Sequence, residues 1–154
     1  AADLGVWLVD IHTSGGPVMM SAAAEALSKY RERPYLIGVT VLTSMDSAQL
    51  NSIGVSAEPK EQVIRLAKLA KESGLDGVVS SAQEVSLIKS NVPSPFICVT
   101  PGIRPAGSSV GDQKRIMTPA EAVSAGSDYL VIGRPITQAE DPVKALIDIN
   151  TSIY

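Results

Sequence analysis

The residues best suited to chemistry in this sequence are two arginines that each close an apolar run. Val131-Ile132-Gly133-Arg134-Pro135 is the first of these segments. A glycine there lets the backbone come close to a ligand and turns N–H groups toward an anion. The guanidinium of Arg134 adds a planar fork of donors shaped for phosphate. Taken alone, the pair reads more readily as a turn glycine and a surface arginine. It is not alone, because Val99-Thr100-Pro101-Gly102-Ile103-Arg104-Pro105 ends the preceding apolar run with a second arginine. Between them, residues 106–115 hold Gly107, Ser108, Ser109, Gly111, Asp112 and Gln113, with Val110 the one core-type residue. A polar loop beside an anion site reads as a lid or clamp, and otherwise as a plain connection. Two arginines on consecutive run ends make phosphate the favoured ligand.

Other reactive groups are sparse. His12 is the sole histidine and ends an apolar run. A general acid is conceivable there, but a packed, hydrogen-bonded rim residue is the favoured reading. Asp10 points inward or pairs locally. His, Cys and carboxylates show no metal-ligand spacing, so no metal or other cofactor is expected. The single cysteine, Cys98, lies in the apolar run 96–99, which suggests a buried, inert thiol compatible with a reducing cytoplasm.

The elements that must position these residues alternate. Runs 7–12, 35–43, 77–81, 95–103 and 129–136 are dense in Val, Ile and Leu without polar alternation, as expected of strands covered on both faces. Helical spacing appears over 18–30 and 59–73, the latter with Val63, Leu66, Ala67 and Ala70 on one face and Gly74 as its stop. Thr118-Pro119-Ala120-Glu121 is a helix start with Thr as N-cap, Pro at N1 and Glu at N3, and Asp141-Pro142 opens the last helix likewise. Strand–helix alternation predicts a parallel α/β fold in a single domain, 1–154. The polar clusters 12–16, 43–44, 80–81, 101–104 and 133–135 all follow strands. Gathered on one rim they favour a (β/α) barrel, here an incomplete one with about five parallel strands; an open doubly wound sheet is the alternative.

Ser73-Gly74-Leu75-Asp76-Gly77-Val78-Val79 is echoed by Ala125-Gly126-Ser127-Asp128-Tyr129-Leu130-Val131 and, more loosely, by Ala2-Asp3-Leu4-Gly5-Val6-Trp7-Leu8. On that pattern Ala1 is expected to lie in the last turn of a helix. Composition agrees with a globular chain: 45% hydrophobic and 19% charged residues exclude a disordered class. No apolar stretch approaches the roughly 18 residues of a membrane span, and no secretory signal opens the chain. A net charge of −3 with interspersed signs makes nucleic acid an unexpected partner.

Thr100-Pro-Gly-Ile-Arg-Pro105, Gly111-Asp-Gln-Lys-Arg-Ile-Met-Thr-Pro119, Asp128-Tyr-Leu-Val-Ile-Gly-Arg-Pro-Ile-Thr137, Val39-Thr-Val-Leu-Thr-Ser-Met45 and Leu75-Asp-Gly-Val-Val-Ser-Ser-Ala-Gln-Glu84 together resemble bacterial orotidine 5′-phosphate decarboxylases over essentially the whole chain. The resemblance implies a (β/α)8 TIM barrel, working as a cytoplasmic homodimer, that converts orotidine monophosphate (OMP) to UMP and carbon dioxide without a cofactor. It implies that Arg134 with the Gly133 backbone clamps phosphate, helped by Arg104. It further implies that Gln113 bridges phosphate and pyrimidine, that Thr43 and Ser44 face the base, and that Pro101 lines the pocket. Hydroxyls and an amide do suit an uncharged pyrimidine edge. Without the resemblance, Thr43-Ser44 reads equally as a helix-capping pair before Asp46.

One family feature is missing. The reaction centre of these enzymes is an Asp/Lys array on the first three strands, including an Asp-x-Lys-x-x-Asp motif, and no such motif occurs here. Loss of carbon dioxide leaves negative charge on a ring carbon, which needs a fixed ammonium and then a proton. Lys29, Lys60, Lys68, Lys71, Lys89 and Lys144 are expected on helices, and Lys114 in the polar loop, so no catalytic residue is assigned to this chain. The expectation is a C-terminal portion of the barrel, inactive alone, from a parent of ~250 residues, or about 200 at the small end. A non-catalytic fragment that binds nucleotide phosphate or associates with itself is the alternative. A sugar-phosphate-binding barrel is a third reading, disfavoured by the Thr-Pro-Gly-Ile-Arg-Pro and Gly-Asp-Gln motifs. Five strands leave two sheet edges and one core wall uncovered, so tight pairing with another copy or a proteolysed remnant is expected.

Overall fold

The apolar runs become strands in the order the sequence sets out. The computed structural model describes residues 1–106 and 115–153. Among these, β1 (Leu8–His12), β2 (Tyr35–Val39), β3 (Gly77–Val79), β4 (Ile97–Thr100) and β5 (Tyr129–Leu130) form one parallel sheet in chain order. The register pairs Asp10 with Ile37, Ile37 with Gly77, Gly77 with Ile97, and Val99 with Tyr129. Helices α1 (Gly16–Ser28), α3 (Pro59–Glu72) and α4 (Val85–Asn91) cross between strands. They bury Met20, Val63, Leu66, Ala67, Ala70, Val85 and Ile88 against Leu36, Val78 and Cys98 of the sheet. The amphipathic stripe read from Val63, Leu66, Ala67 and Ala70 is thus the core face of α3. Cys98 is fully buried there, and burial pushes its thiol up to about 11, which keeps it protonated and inert.

The sheet is curled. The Trp7 ring, just before β1, packs 6.1 Å edge-on from Tyr35 and 5.0 Å from Tyr129 at the start of β5. Four strand spacings would hold the first and fifth strands of a flat sheet roughly 19 Å apart. Contact between those rings therefore requires an arc, which decides for an incomplete (β/α) barrel over an open doubly wound sheet.

The internal echo has a structural cause. Asp76 and Asp128 each stand just before a strand and accept the amide of the neighbouring strand, Leu36 N–H at 2.8 Å and Cys98 N–H at 2.7 Å. Each also meets a cation, Arg33 in a two-point pair with Asp76 and Lys89 with Asp128. They pin the strand starts, away from the loops that build the site. Burial raises the Asp76 carboxyl, but Arg33 and the Leu36 amide outweigh it and hold it below the usual carboxylate range. A carboxyl lowered in the fold contributes stability that is complete above its unfolded value of about 4 and is lost as pH falls through the folded one. Asp76→Asn is therefore expected to cost about 1–3 kcal/mol at pH 7, with the melting curves of variant and parent converging toward pH 3. A gap independent of pH would show that the carboxylate charge is not what pins the strand.

The structure corrects several readings of the sequence: β2 ends at Val39 and not at residue 43, and β4 runs from Ile97 to Thr100 and not over 95–103. β5 stops at Leu130 instead of running to residue 136, because Gly133 opens α6 (Arg134–Thr137). α2 (Ser47–Ser52) is capped by Asp46 in a capping box with Gln49, so Thr43 and Ser44 do not cap it. The third echo keeps a left-handed Gly5 after a short 3-10 turn, Ala2–Leu4, but lacks the pinning aspartate. α5 (Pro119–Ser124) and α7 (Pro142–Thr151) start as read, with Thr118–Glu121 forming the reciprocal capping box and Asp141 accepting the Lys144 amide. No helix of the described residues is long and apolar enough to cross a membrane.

Candidate functional site

The C-terminal strand ends carry the polar clusters on one rim. After β2 the chain continues through Thr40, whose hydroxyl donates to Val79 O at 2.7 Å, and reaches Thr43 and Ser44. Together with Pro101 beyond β4, Thr43 and Ser44 line a cavity of 230 Å³ walled by Val39, Val41, Leu42, Val79 and Ser80. Three of the sequence-predicted residues are thus brought together. Ser80, one residue past β3, was noted in a polar cluster but not as a site residue. Its hydroxyl is buried and makes no hydrogen bond among the described residues, which costs stability unless something pairs with it.

The two arginine segments meet elsewhere on the rim. Pro105 and Pro135, which follow Arg104 and Arg134, line a second cavity of 480 Å³ with Thr118, Pro119 and residues of α7. Arg134 is exposed at the start of α6, and Gly133 before it has open space where a side chain would project. Arg104 is buried, with its guanidinium donating to Ile103 O and its amide donating to Met117 O at 2.9 Å. Neither arginine lines the Thr43 cavity. Gln113 and Lys114 lie outside the described residues.

A buried ion pair goes unread in the sequence, where Arg115 is only the last residue of the polar loop. The Arg115 guanidinium donates at 2.6 Å to Glu84, whose side chain is 0% exposed, and through its other terminal nitrogen to Val41 O and Leu42 O at 3.1 and 2.8 Å. Burial raises the Glu84 carboxyl more than Arg115 lowers it. No local signal in the sequence marks the pair, since Glu84 stands beside Ser81, Gln83 and Ser86 as a surface glutamate would, and its partner lies 31 residues away.

His12 does end β1, but it is exposed, not packed, and Asp10 on the same face is exposed too. The lysines of the described residues fall on helices or at their ends. Lys71 donates to Pro95 O and Lys89 to Phe96 O and Asp128, all at the strand starts. Among the described residues no group of three or more His, Cys, Asp or Glu side chains could hold a metal ion.

A curled parallel sheet with uncharged hydroxyls and two arginine loops beyond its C-terminal strand ends defines an incomplete (β/α) barrel. The comparison with protein families makes this specific: residues 1–149 match the orotidine 5′-phosphate decarboxylase / HUMPS family, and the chain belongs to it. It is 63% identical over 154 residues to the orotidine 5′-phosphate decarboxylase of Vibrio parahaemolyticus, covering 99% of this chain and 66% of that protein. The crystal structure of orotidine 5′-phosphate decarboxylase from Lactobacillus acidophilus superposes with a TM-score of 0.81 at 38% identity, covering 97% of this chain and 64% of that one. An uncharacterized conserved protein from Geobacillus kaustophilus gives a TM-score of 0.80 at 39% identity, covering 99% and 66%. The chain therefore spans 66% of the length of the first curated relative it matches.

Proposed function

We propose that this chain is the nucleotide-gripping part of an orotidine 5′-phosphate decarboxylase, a lyase that converts OMP to UMP and carbon dioxide in a cytoplasmic homodimer. The observation that carries this reading is the 230 Å³ cavity in which Thr43, Ser44 and Pro101 come together at the strand ends. Hydroxyl groups there offer donors and acceptors to a pyrimidine edge, while the valines exclude water around it. Arg104, Gly133 and Arg134 hold the phosphate and Gln113 links it to the base. The chain contributes binding and orientation; the ammonium that would steady the developing carbanion is not among the lysines described above.

Replacing Arg134 with Ala tests the phosphate assignment. Loss of one or two charge-assisted hydrogen bonds is expected to weaken UMP binding roughly 10- to 100-fold in a calorimetric titration, with the melting temperature little changed because the side chain is exposed. Unchanged affinity would mean that the phosphate sits elsewhere.

A further inference from the structure

Residues 115–117 cross three strand-end loops in three steps. Met117 bridges Ile103 and accepts the Arg104 amide beyond β4. Ile116 O accepts from the Gln83 side chain at 3.1 Å, and Ser81 donates to Arg115 O at 3.3 Å, both beyond β3. The Arg115 side chain then reaches past Glu84 to the carbonyls of Val41 and Leu42, beyond β2. Those two carbonyls immediately precede Thr43 and, like Thr43 and Ser44, belong to the wall of the 230 Å³ cavity.

We infer that Arg115 is a positioning residue for nucleotide binding: with Glu84 as its buried counter-charge, it fixes the Val41-Leu42 backbone and so sets where the Thr43 and Ser44 hydroxyls stand relative to Arg104. The inference deepens the proposed function and rests on it for the ligand's identity. The physical case is one of geometry and burial. A loop beyond a strand has no ladder partner for its carbonyls, and two of them here are held by one guanidinium. That guanidinium is 11% exposed and bonded to a fully buried carboxylate, so it has no solvent-facing alternative. The planar fork serves three acceptors at once, a geometry an ammonium does not reproduce. One short segment thereby spaces the base-facing hydroxyls from the backbone of a phosphate-side arginine, and a ligand spanning both would read that spacing.

The test uses two readouts on the purified protein. In Arg115→Met, hydrogen exchange at the Thr43 and Ser44 amides without ligand is expected to speed up about tenfold or more, while exchange in β2 and β3 stays as in the parent. UMP affinity is expected to fall about tenfold while affinity for inorganic phosphate alone holds within about twofold; adding Thr43→Val to Arg115→Met should cost little more, since both remove the same contact. Arg115→Lys should restore part of the loss. If Arg115→Met does not fold, Arg115→Lys and Glu84→Gln carry both measurements with the same expected directions. Unchanged exchange at residues 43–44, or losses from Thr43→Val and Arg115→Met that simply add, would overturn the inference. Intact UMP affinity in Arg134→Ala would instead sink the phosphate reading, and the exchange measurement without ligand would still judge Arg115.

Discussion

Incubated with orotidine monophosphate, the 154-residue chain is expected to release no carbon dioxide above the uncatalysed rate. Decarboxylation leaves an electron pair on a ring carbon, and the dominant way to lower that barrier is a preorganised cation beside the carbon, followed by a proton donor. Among the described residues the candidates are accounted for one by one, Lys114 lying outside them. Lys60, Lys68 and Lys71 lie in α3, Lys89 in α4 and Lys144 in α7, while Lys29 caps the end of α1. Lys71 and Lys89 do reach the sheet, but at Pro95, Phe96 and Asp128, the end of the strands opposite Thr43. Lys144 pairs with Asp148 on its own helix. Arg104 and Arg115 are near the rim, yet a guanidinium holds its proton too tightly to donate it. Enzymes accelerate their reactions about a million-fold or more, and the expected loss is the whole of that factor. Release of labelled carbon dioxide measures it directly; turnover by this chain would place the reaction centre among its own residues and overturn the assignment.

How far the sequence reached depends on how local each signal is. Strand positions were legible where both sheet faces are covered, as in β2, whose residues 36–39 are all buried and read as part of the apolar run 35–43. Thr118 with Glu121 and Asp141 with Pro142 announced their helices, since a cap and its target lie within four residues. α2 was missed for the opposite reason: six residues give no periodicity, and Thr43-Ser44 drew attention from the true cap, Asp46. The short β5 was overdrawn because Val131 and Ile132 continue the apolar run that Gly133 then turns into α6. Thr43, Ser44 and Pro101 came from family motifs, not from spacing, and their shared cavity depends on a curl that no single segment encodes. The pairing of Arg115 with Glu84 spans 31 residues and two loops, beyond any local rule of charge pattern.

The largest stability loss is expected from Gly77→Ala, at about 3 kcal/mol or more. Gly77 lies in β3, a central strand, paired with Ile37 on one side and Ile97 on the other. Its need is steric, not conformational. A methyl group there would fall on the Ile97 carbonyl oxygen and stand 2.7 Å from Ile97 Cβ and 2.8 Å from its carbonyl carbon. Backbone held in a parallel ladder has little room to yield, so relief requires β4 to shift against β3. Gly38 offers the contrast, since a methyl group there meets no backbone: it overlaps the Thr13 methyl and stands 3.1 Å from Leu75 Cδ2 and 3.5 Å from Ala70 Cβ, so relief needs side chains and not a strand to move. Gly38→Ala should therefore destabilise less than Gly77→Ala, although a Cβ is equally absent from both. The consequence reaches the site, because β4 carries Pro101 and β3 carries Ser80 to the 230 Å³ cavity. Urea unfolding of both variants provides the measurement. A domain of this kind holds about 5–15 kcal/mol in total, so the expected loss is a large share of its stability. A Gly77→Ala protein within about 1 kcal/mol of its parent would mean that β4 moves freely, and the strand contact would no longer explain the glycine.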